Sequence, residues 1–229
     1  MKKILAIIPA RGGSKGIIDK NIVDINGMPL LQYTVDPLLN LLNKNFVNEA
    51  ILSTDSQKIA SIGKGLGINV PFLRPSEISN DKAKSIDFVL HALEFYSNQN
   101  QYFDSVLILQ PTSPLRTYNN IKKSIIAFDL SKSDSLISCY KEDYINSLTT
   151  YTKEGDFAIP INPNHNMAVR RQDHSVSYVR NGAIYLTKVD YLTKNKSIIS
   201  DKPLMFEMPK HKSINIDTEE DLIMIKKMI

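Results

Sequence analysis

The chain has 229 residues, 42% hydrophobic and 23% charged, which is ordinary globular composition and long enough to bury a core without staples. A single cysteine, Cys139, excludes an internal disulfide and fits a reducing compartment. The net charge of +4 is spread along the chain, not clustered with stacking aromatics, which argues against a nucleic-acid-binding module and leaves a modest field for an anionic substrate.

The chain starts Met1-Lys2-Lys3 and then runs apolar over 4–9. A secretory signal would need a longer apolar stretch and a small-residue cleavage site. No run approaches the roughly 20 apolar residues of a membrane span. The expected location is therefore the cytoplasm, and 4–9 reads as a buried strand. Residues 29–42 carry Leu30, Leu31, Thr34, Leu38 and Leu41 near helical spacing. A second strand is expected at 49–54. Its Ser53-Thr54-Asp55-Ser56 end is an N-cap cluster for a helix at 57–66. Ile86, Val89, Leu90 and Leu93 form one stripe of a helix at 85–96. A third strand at 105–110 leads through a Pro-Leu-Arg-Thr turn to a helix at 119–130, and a fourth strand follows at 135–139. Short apolar runs bounded by turn residues suit strands covered on both faces. The strand–helix rhythm predicts a doubly wound α/β core with a mostly parallel sheet.

From 140 to 178 the rhythm breaks. The stretch is polar, with Pro160, Asn162, Pro163, Asn164 and His165. So long a structureless loop is unusual inside a compact core. Residues 1–139 and 179–229 are therefore read as the core, and 140–178 as an inserted arm with its own pairing or a role in dimerisation. Strand signals return at 182–186 and 204–208. A short strand is expected at 213–216, before a final helix from Thr218. The four histidines form no cluster, which argues against zinc.

Chemistry concentrates directly after the first strand, in Pro9-Ala10-Arg11-Gly12-Gly13-Ser14-Lys15-Gly16. Open α/β sheets bind ligands beyond the carboxyl ends of their strands. Glycines let backbone N–H groups close on phosphate oxygens. Arg11, Lys15 and nearby Lys20 add charge, so the loop reads as a phosphate site. It is neither GxxxxGK[ST] nor GxGxxG.

This loop, followed by Lys20-Asn21, resembles the signature of the CMP-sialic acid synthetases, the acylneuraminate cytidylyltransferases. Further similar segments follow in the family's order. They are Ser53-Thr54-Asp55, Arg74-Pro75, Asn80-Asp81, Gln110-Pro111-Thr112-Ser113-Pro114-Leu115-Arg116, Arg171-Gln172-Asp173, Asn181-Gly182-Ala183-Ile184-Tyr185 and Asn215-Ile216-Asp217. The resemblance implies a GT-A-like, Rossmann-like nucleotidyltransferase core. It implies joining of CMP from CTP to an acidic nine-carbon sugar, with Mg²⁺ as cofactor and a homodimer built through the arm.

The resemblance also implies roles. Ala10, Arg11, Gly12, Gly13, Ser14, Lys15 and Lys20 would hold the phosphates, with Arg11 or Lys20 offsetting transition-state charge. Asn21, Arg74, Asn80 and Asp81 would line the cytidine end. Gln110 and Tyr185 would face the sugar, and Arg170 or Arg171 its carboxylate, by way of a planar fork. Asp217 and Asn215 would meet the metal, since alternate residues of a strand share a face. Simpler roles compete with these. Arg74 could sit on a surface turn, Asp81 could cap a helix starting at 83, Gln110 could be a satisfied strand-end amide, and Tyr185 could be core. Asp217 could merely cap the last helix with Thr218 and Asp221.

Two departures stand out. Ile18-Asp19 replaces the family's proline, which could loosen the loop or bring an acid near the phosphates. Asn215 stands where the family has aspartate, which weakens the case for a two-carboxylate metal site. The alternatives are a cytidylyltransferase for the eight-carbon acid Kdo, a nucleotide-binding paralogue without turnover, and a basic nucleic-acid-binding domain.

Overall fold

The structure, a computed structural model, describes residues 2–14, 16–143, 145–166 and 176–229. In chain order it forms β1 (Ile4–Pro9), the short pair β2 (Asp24–Ile25) and β3 (Met28–Pro29), α1 (Gln32–Asn43), β4 (Glu49–Ser53), α2 (Gln57–Gly65), α3 (Ser85–Ser97), β5 (Ser105–Ile108) and α4 (Tyr118–Leu130). It continues with β6 (Ser135–Glu142), β7 (Tyr151–Glu154), β8 (Phe157–Pro160), β9 (Ser177–Lys188), α5 (Val189–Asn195), β10 (Leu204–Glu207) and α6 (Glu219–Met228).

The central sheet has the order β10-β6-β9-β5-β1-β4. Its pairings are parallel except for those of β9, which runs antiparallel to both β5 and β6. The period of two in β1 shows how the layers form. Ile4, Ala6 and Ile8 face a cluster with Val35 and Leu38 of α1 and Ile121 and Ile125 of α4. Leu5 and Ile7 face a second cluster with Ile86, Phe88 and Val89 of α3 and Leu192 of α5. A third, small cluster joins Ile17, Ile25 and Leu30 to Ile216, Leu222 and Ile225 near the end of the chain. Among the described residues no helix is long and apolar enough to cross a membrane.

The doubly wound, mostly parallel core expected from the sequence is therefore present. Helix α2 begins where expected, with the Ser56 hydroxyl accepting from Ile59 N–H. Several expectations need correction. The strand at 213–216 does not form. A 3-10 turn over Lys210–Lys212 leads into a segment whose Ile216 N–H donates to the Thr112 carbonyl at 2.9 Å, and its polar side chains take up other partners. Asp81 does not cap a helix at 83, because α3 starts at Ser85 and the Lys84 N–H donates to Asp87. The first helix starts at Gln32, because Met28–Pro29 pair with Asp24–Ile25. Helix α5 had no counterpart among the expected elements, while the β7–β8 hairpin lies in the 140–178 stretch read as an arm with its own pairing or a role in dimerisation.

One side chain ties the layers at the carboxyl end of β5. Arg116 is only 2% exposed. Its Nη1 donates to the Gln110 carbonyl at 3.0 Å and the Ala183 carbonyl at 2.7 Å, and its Nη2 donates to Thr34 Oγ1 at 2.7 Å. Burial pushes its pKa down to about 9, so it stays charged at neutral pH. Its Nε has no partner among the described residues. Arg116→Ala would orphan two buried carbonyls and open a void. The expected loss is about 3–5 kcal/mol of unfolding free energy, measured by urea denaturation.

Candidate functional site

The loop after β1 is held from four sides. Ala10 N–H donates to the Ser53 carbonyl, extending the β1–β4 ladder by one bond. Gly12 N–H donates to Asp55 Oδ1 at 2.8 Å, so the end of β4 sets the turn. Asn21 is buried and its Nδ2 donates to the Arg11 carbonyl at 2.9 Å, closing the loop on itself. Ile17 anchors the far side in the third cluster. Gly16 is required by close approach, since a Cβ there would lie 2.6 Å from the Asp217 carbonyl oxygen. The departure at Ile18-Asp19 also has a structural outcome. Asp19 adopts a left-handed conformation (φ 53°) and pairs with Lys58 of α2 at 2.7 Å, tying the loop to that helix.

Beneath this loop lies a cleft of about 520 Å³. Arg11, Ser14, Lys20, Asn21, Arg74, Asn80, Asp81, Gln110 and Asp217 all line it, so residues far apart in sequence converge. Ala10, Gly12 and Gly13 supply the loop backbone. Lys15, Arg170 and Arg171 lie outside the described residues. Lys84, Ser85 and Thr112 also line the cleft and were not singled out from sequence. Lys84 was legible in principle, as a cation directly before a helix pattern and close to Asn80-Asp81.

Two ion pairs stand in the cleft. Arg11 Nη1 lies 2.7 Å from Asp81 Oδ1, and Lys20 Nζ lies 2.9 Å from Asp217 Oδ1. Arg74 is buried rather than on a surface turn. It donates to Ser53 Oγ and the Ser53 carbonyl, and stacks 5.0 Å from the Phe88 ring. Burial pushes its pKa down to about 10, with Asp55 opposing and Arg11 adding to the fall. Asn80 is committed to its own turn, accepting from the N–H groups of Lys82 and Ala83 and donating to the Glu77 carbonyl.

The last loop is braced by an amide network. Asn215 Nδ2 donates to the Asn181 carbonyl at 2.7 Å, and its Oδ1 accepts from Ser113 Oγ at 2.6 Å. Asn181 is buried. Its Oδ1 accepts from Ser138 Oγ and Ala183 N–H, and its Nδ2 donates to Ser213 Oγ. This marks a bulge in β9, where the register with β6 shifts and Gly182 has a φ of +71°. A Cβ at Gly182 would lie 3.7 Å from both Asn215 Nδ2 and the Tyr185 hydroxyl. Tyr185 is partly buried against the second cluster, and burial pushes its pKa up. Asp217 does not cap α6. Thr218 does so, its hydroxyl accepting from Asp221 N–H, while the Asp217 carboxylate turns to Lys20. Asp217, its side chain 70% exposed, can offer oxygen to a cation, whereas both amide atoms of Asn215 already have protein partners. Among the described residues no group of three or more His, Cys, Asp or Glu side chains is placed to hold a metal ion.

Residues 5–225 match the family model described as Cytidylyltransferase. The chain is 33% identical over 220 residues to the pseudaminic acid cytidylyltransferase of Campylobacter jejuni strain 81-176, covering 96% of this chain and 93% of that one. It is 30% identical over 233 residues to the CMP-N,N'-diacetyllegionaminic acid synthase of Legionella pneumophila, covering 99% and 96%. Among solved structures, CMP:2-keto-3-deoxy-manno-octonic acid synthetase in complex with CTP superposes with a TM-score of 0.70 at 17% identity, covering 99% of this chain and 98% of that one.

The amide network gives a direct test. Asn215→Asp sets a carboxylate oxygen against the Asn181 carbonyl, where a donor now stands. It is expected to lower stability by about 1–3 kcal/mol, read from the urea midpoint.

Proposed function

This chain belongs to the cytidylyltransferase family, and we propose that it transfers CMP from CTP to a free nine-carbon 2-keto acid sugar, releasing pyrophosphate. It is a CTP-dependent nucleotidyltransferase. The single observation that carries the reading is the cleft itself. Loop cations from just after β1 meet a carboxylate from the last loop, at the sheet edge where Gln110 stands.

In this reading the anomeric oxygen of the sugar attacks the α-phosphorus of CTP in line. The new O–P bond forms as the bond to the β-phosphate oxygen breaks, and the proton of the anomeric hydroxyl passes to solvent water. Arg11, Lys15 and Lys20 hold the departing pyrophosphate, with the Gly13 amide and the Ser14 hydroxyl beside them, while the Gly12 N–H stays on Asp55 and sets the turn. Positioning and charge neutralisation supply the rate enhancement. Asn21, Arg74, Asn80 and Asp81 line the cytidine end. For Asn80 the contribution is the shape of its turn, since its side chain is already bonded there. Gln110 and Tyr185 face the sugar, and Arg170 or Arg171 reaches its carboxylate.

A divalent cation such as Mg²⁺ fits the donor set. It commonly takes one or two carboxylates and completes its shell with phosphate oxygens and water. Asp217 would hold it, with Asn215 bracing the loop, and the cation would neutralise phosphate charge.

Relatives over nearly the full chain carry names of nine-carbon acids, which favours that sugar class over Kdo. Pyrophosphate release with CTP and Mg²⁺ tests this, offering N-acetylneuraminate, legionaminate, pseudaminate and Kdo separately. Release with one nine-carbon acid is the expected result, and release with Kdo alone would sink the assignment. In the same assay Arg11→Ala is expected to lower turnover about a hundredfold or more.

The homodimer is also part of the proposal. The β7–β8 hairpin forms its own two-stranded sheet and exposes Tyr151, Phe157 and Ile159, with Phe157 75% exposed. Hairpins of two strands are marginal alone in water, and apolar patches of this kind mark contact surfaces. We place the hairpin against a second copy of the chain, with the arm offering Arg170 or Arg171 to that copy's site. The lone buried Cys139 suits the reducing cytoplasm. Sedimentation equilibrium should give a dimer, which the double substitution Phe157→Glu, Ile159→Lys converts to a folded monomer. A monomeric wild-type protein would refute the arrangement.

A further inference from the structure

The amino end of the sheet, opposite the cleft, holds a second and smaller cavity. The parallel pair of β1 and β5 starts there, with Ile4 beside Ser105. The last turns of α4 pass over that pair and leave a pocket of about 150 Å³. Ile4, Phe46, Ile125, Ile126, Phe128 and Leu130 make its walls. Ile126 and Leu130 are exposed, so the pocket opens to solvent along α4. Lys2 and Asp129 also line it, both half-exposed, and their charges face each other at 3.7 Å.

One polar group on the inner wall is left over. Ser105 is 1% exposed, and its Oγ has no hydrogen-bond partner among the described residues. Alternate residues of a strand share a face, so Ser105 points with Leu107 and Leu109. Those two pack with Ile4, Ile125 and Phe128, on the side of the sheet where the pocket lies. A buried hydroxyl without a partner is costly. Water is a poor remedy, because it needs about two to four polar partners and these walls are apolar.

We propose that this pocket binds a small neutral ring compound carrying one hydroxyl group, a phenol or a cyclic alcohol. An apolar cavity of about 150 Å³ takes a body the size of benzene. The ring displaces water from Phe46 and the isoleucines, and the ligand hydroxyl bonds to Ser105 Oγ, which can donate or accept. Lys2 and Asp129 neutralise each other at the mouth, so a charged ligand finds no free counter-ion there. The site lies at the opposite end of β5 from Gln110 and is independent of the reaction proposed above.

Phenol, toluene and benzoate, titrated separately into the full-length protein, test this through chemical-shift changes of the isoleucine methyl groups. Phenol is expected to bind with a Kd on the order of a millimolar or tighter, and toluene to shift the same methyls. Benzoate is expected to leave them unmoved. Ser105→Ala should weaken phenol about twofold to tenfold and leave toluene unchanged or tighter. The same substitution should leave the urea midpoint unchanged or raised, because the hydroxyl it removes has no partner to lose. Ile126→Trp, at the exposed mouth, should abolish binding of both ring compounds in a protein that remains folded. The proposal is overturned if phenol near its solubility limit moves no methyl of Ile4 or Ile125. It is equally overturned if Ser105→Ala binds phenol as wild type does, if benzoate binds as tightly as phenol, or if Ser105→Ala lowers the urea midpoint.

Discussion

The buried guanidinium of Arg116 holds the substrate end of this fold in place. A cation removed from water and given no carboxylate is costly unless its donors are met. Here the acceptors come from the end of β5, from β9 just past its bulge, and from α1. Those segments therefore cannot drift apart without stranding a charge. The same constraint sets the backbone from which Gln110 and Tyr185 project, so the cleft and the sheet face beside it share one support.

A second device is neutral. Asn181 and Asn215, with Ser113, Ser138 and Ser213, form a polar chain running from β6 through the bulge of β9 to the last loop. Buried polar groups stabilise only when their bonds are made, and here amides and hydroxyls answer one another. Together with the close contact of Gly16 on the Asp217 carbonyl, this network sets where the Asp217 carboxylate stands relative to the loop after β1. Asn215 thus has a structural task that an aspartate could not perform with the same geometry, since only an amide can donate to the Asn181 carbonyl.

Much of this was legible in the chain. Apolar runs such as 4–9 could only be strands buried on both faces, and Ser56 announced α2 through its capping chemistry. The glycines and cations packed together after a strand marked the loop as a candidate site, and Arg11, Ser14 and Lys20 do line the cleft. The misses share a cause, which is that long-range partners override local pattern. Ser213-Ile214-Asn215-Ile216 alternates like a strand, yet its polar side chains bond to Ser113, Asn181 and Pro209 rather than leaving the backbone to join a ladder. Arg116 entered the sequence reading only as the end of a motif, because nothing local shows that three acceptors wait for it. Which face the residues of β9 before its bulge present follows from a single irregularity in register, which periodicity alone cannot reveal.

The pairing of Lys20 with Asp217 makes ligand capture an exchange of counterions. A polyphosphate that claims Lys20 strips Asp217 of its neutralising charge and leaves two anions facing each other. On the proposed function, a nucleotide that carries its own divalent ion would resolve the conflict, because the ion could satisfy the carboxylate the lysine has left. Bare and ion-loaded nucleotide would therefore, on the same proposed function, meet different electrostatic frustration in the cleft, before any bond is made or broken.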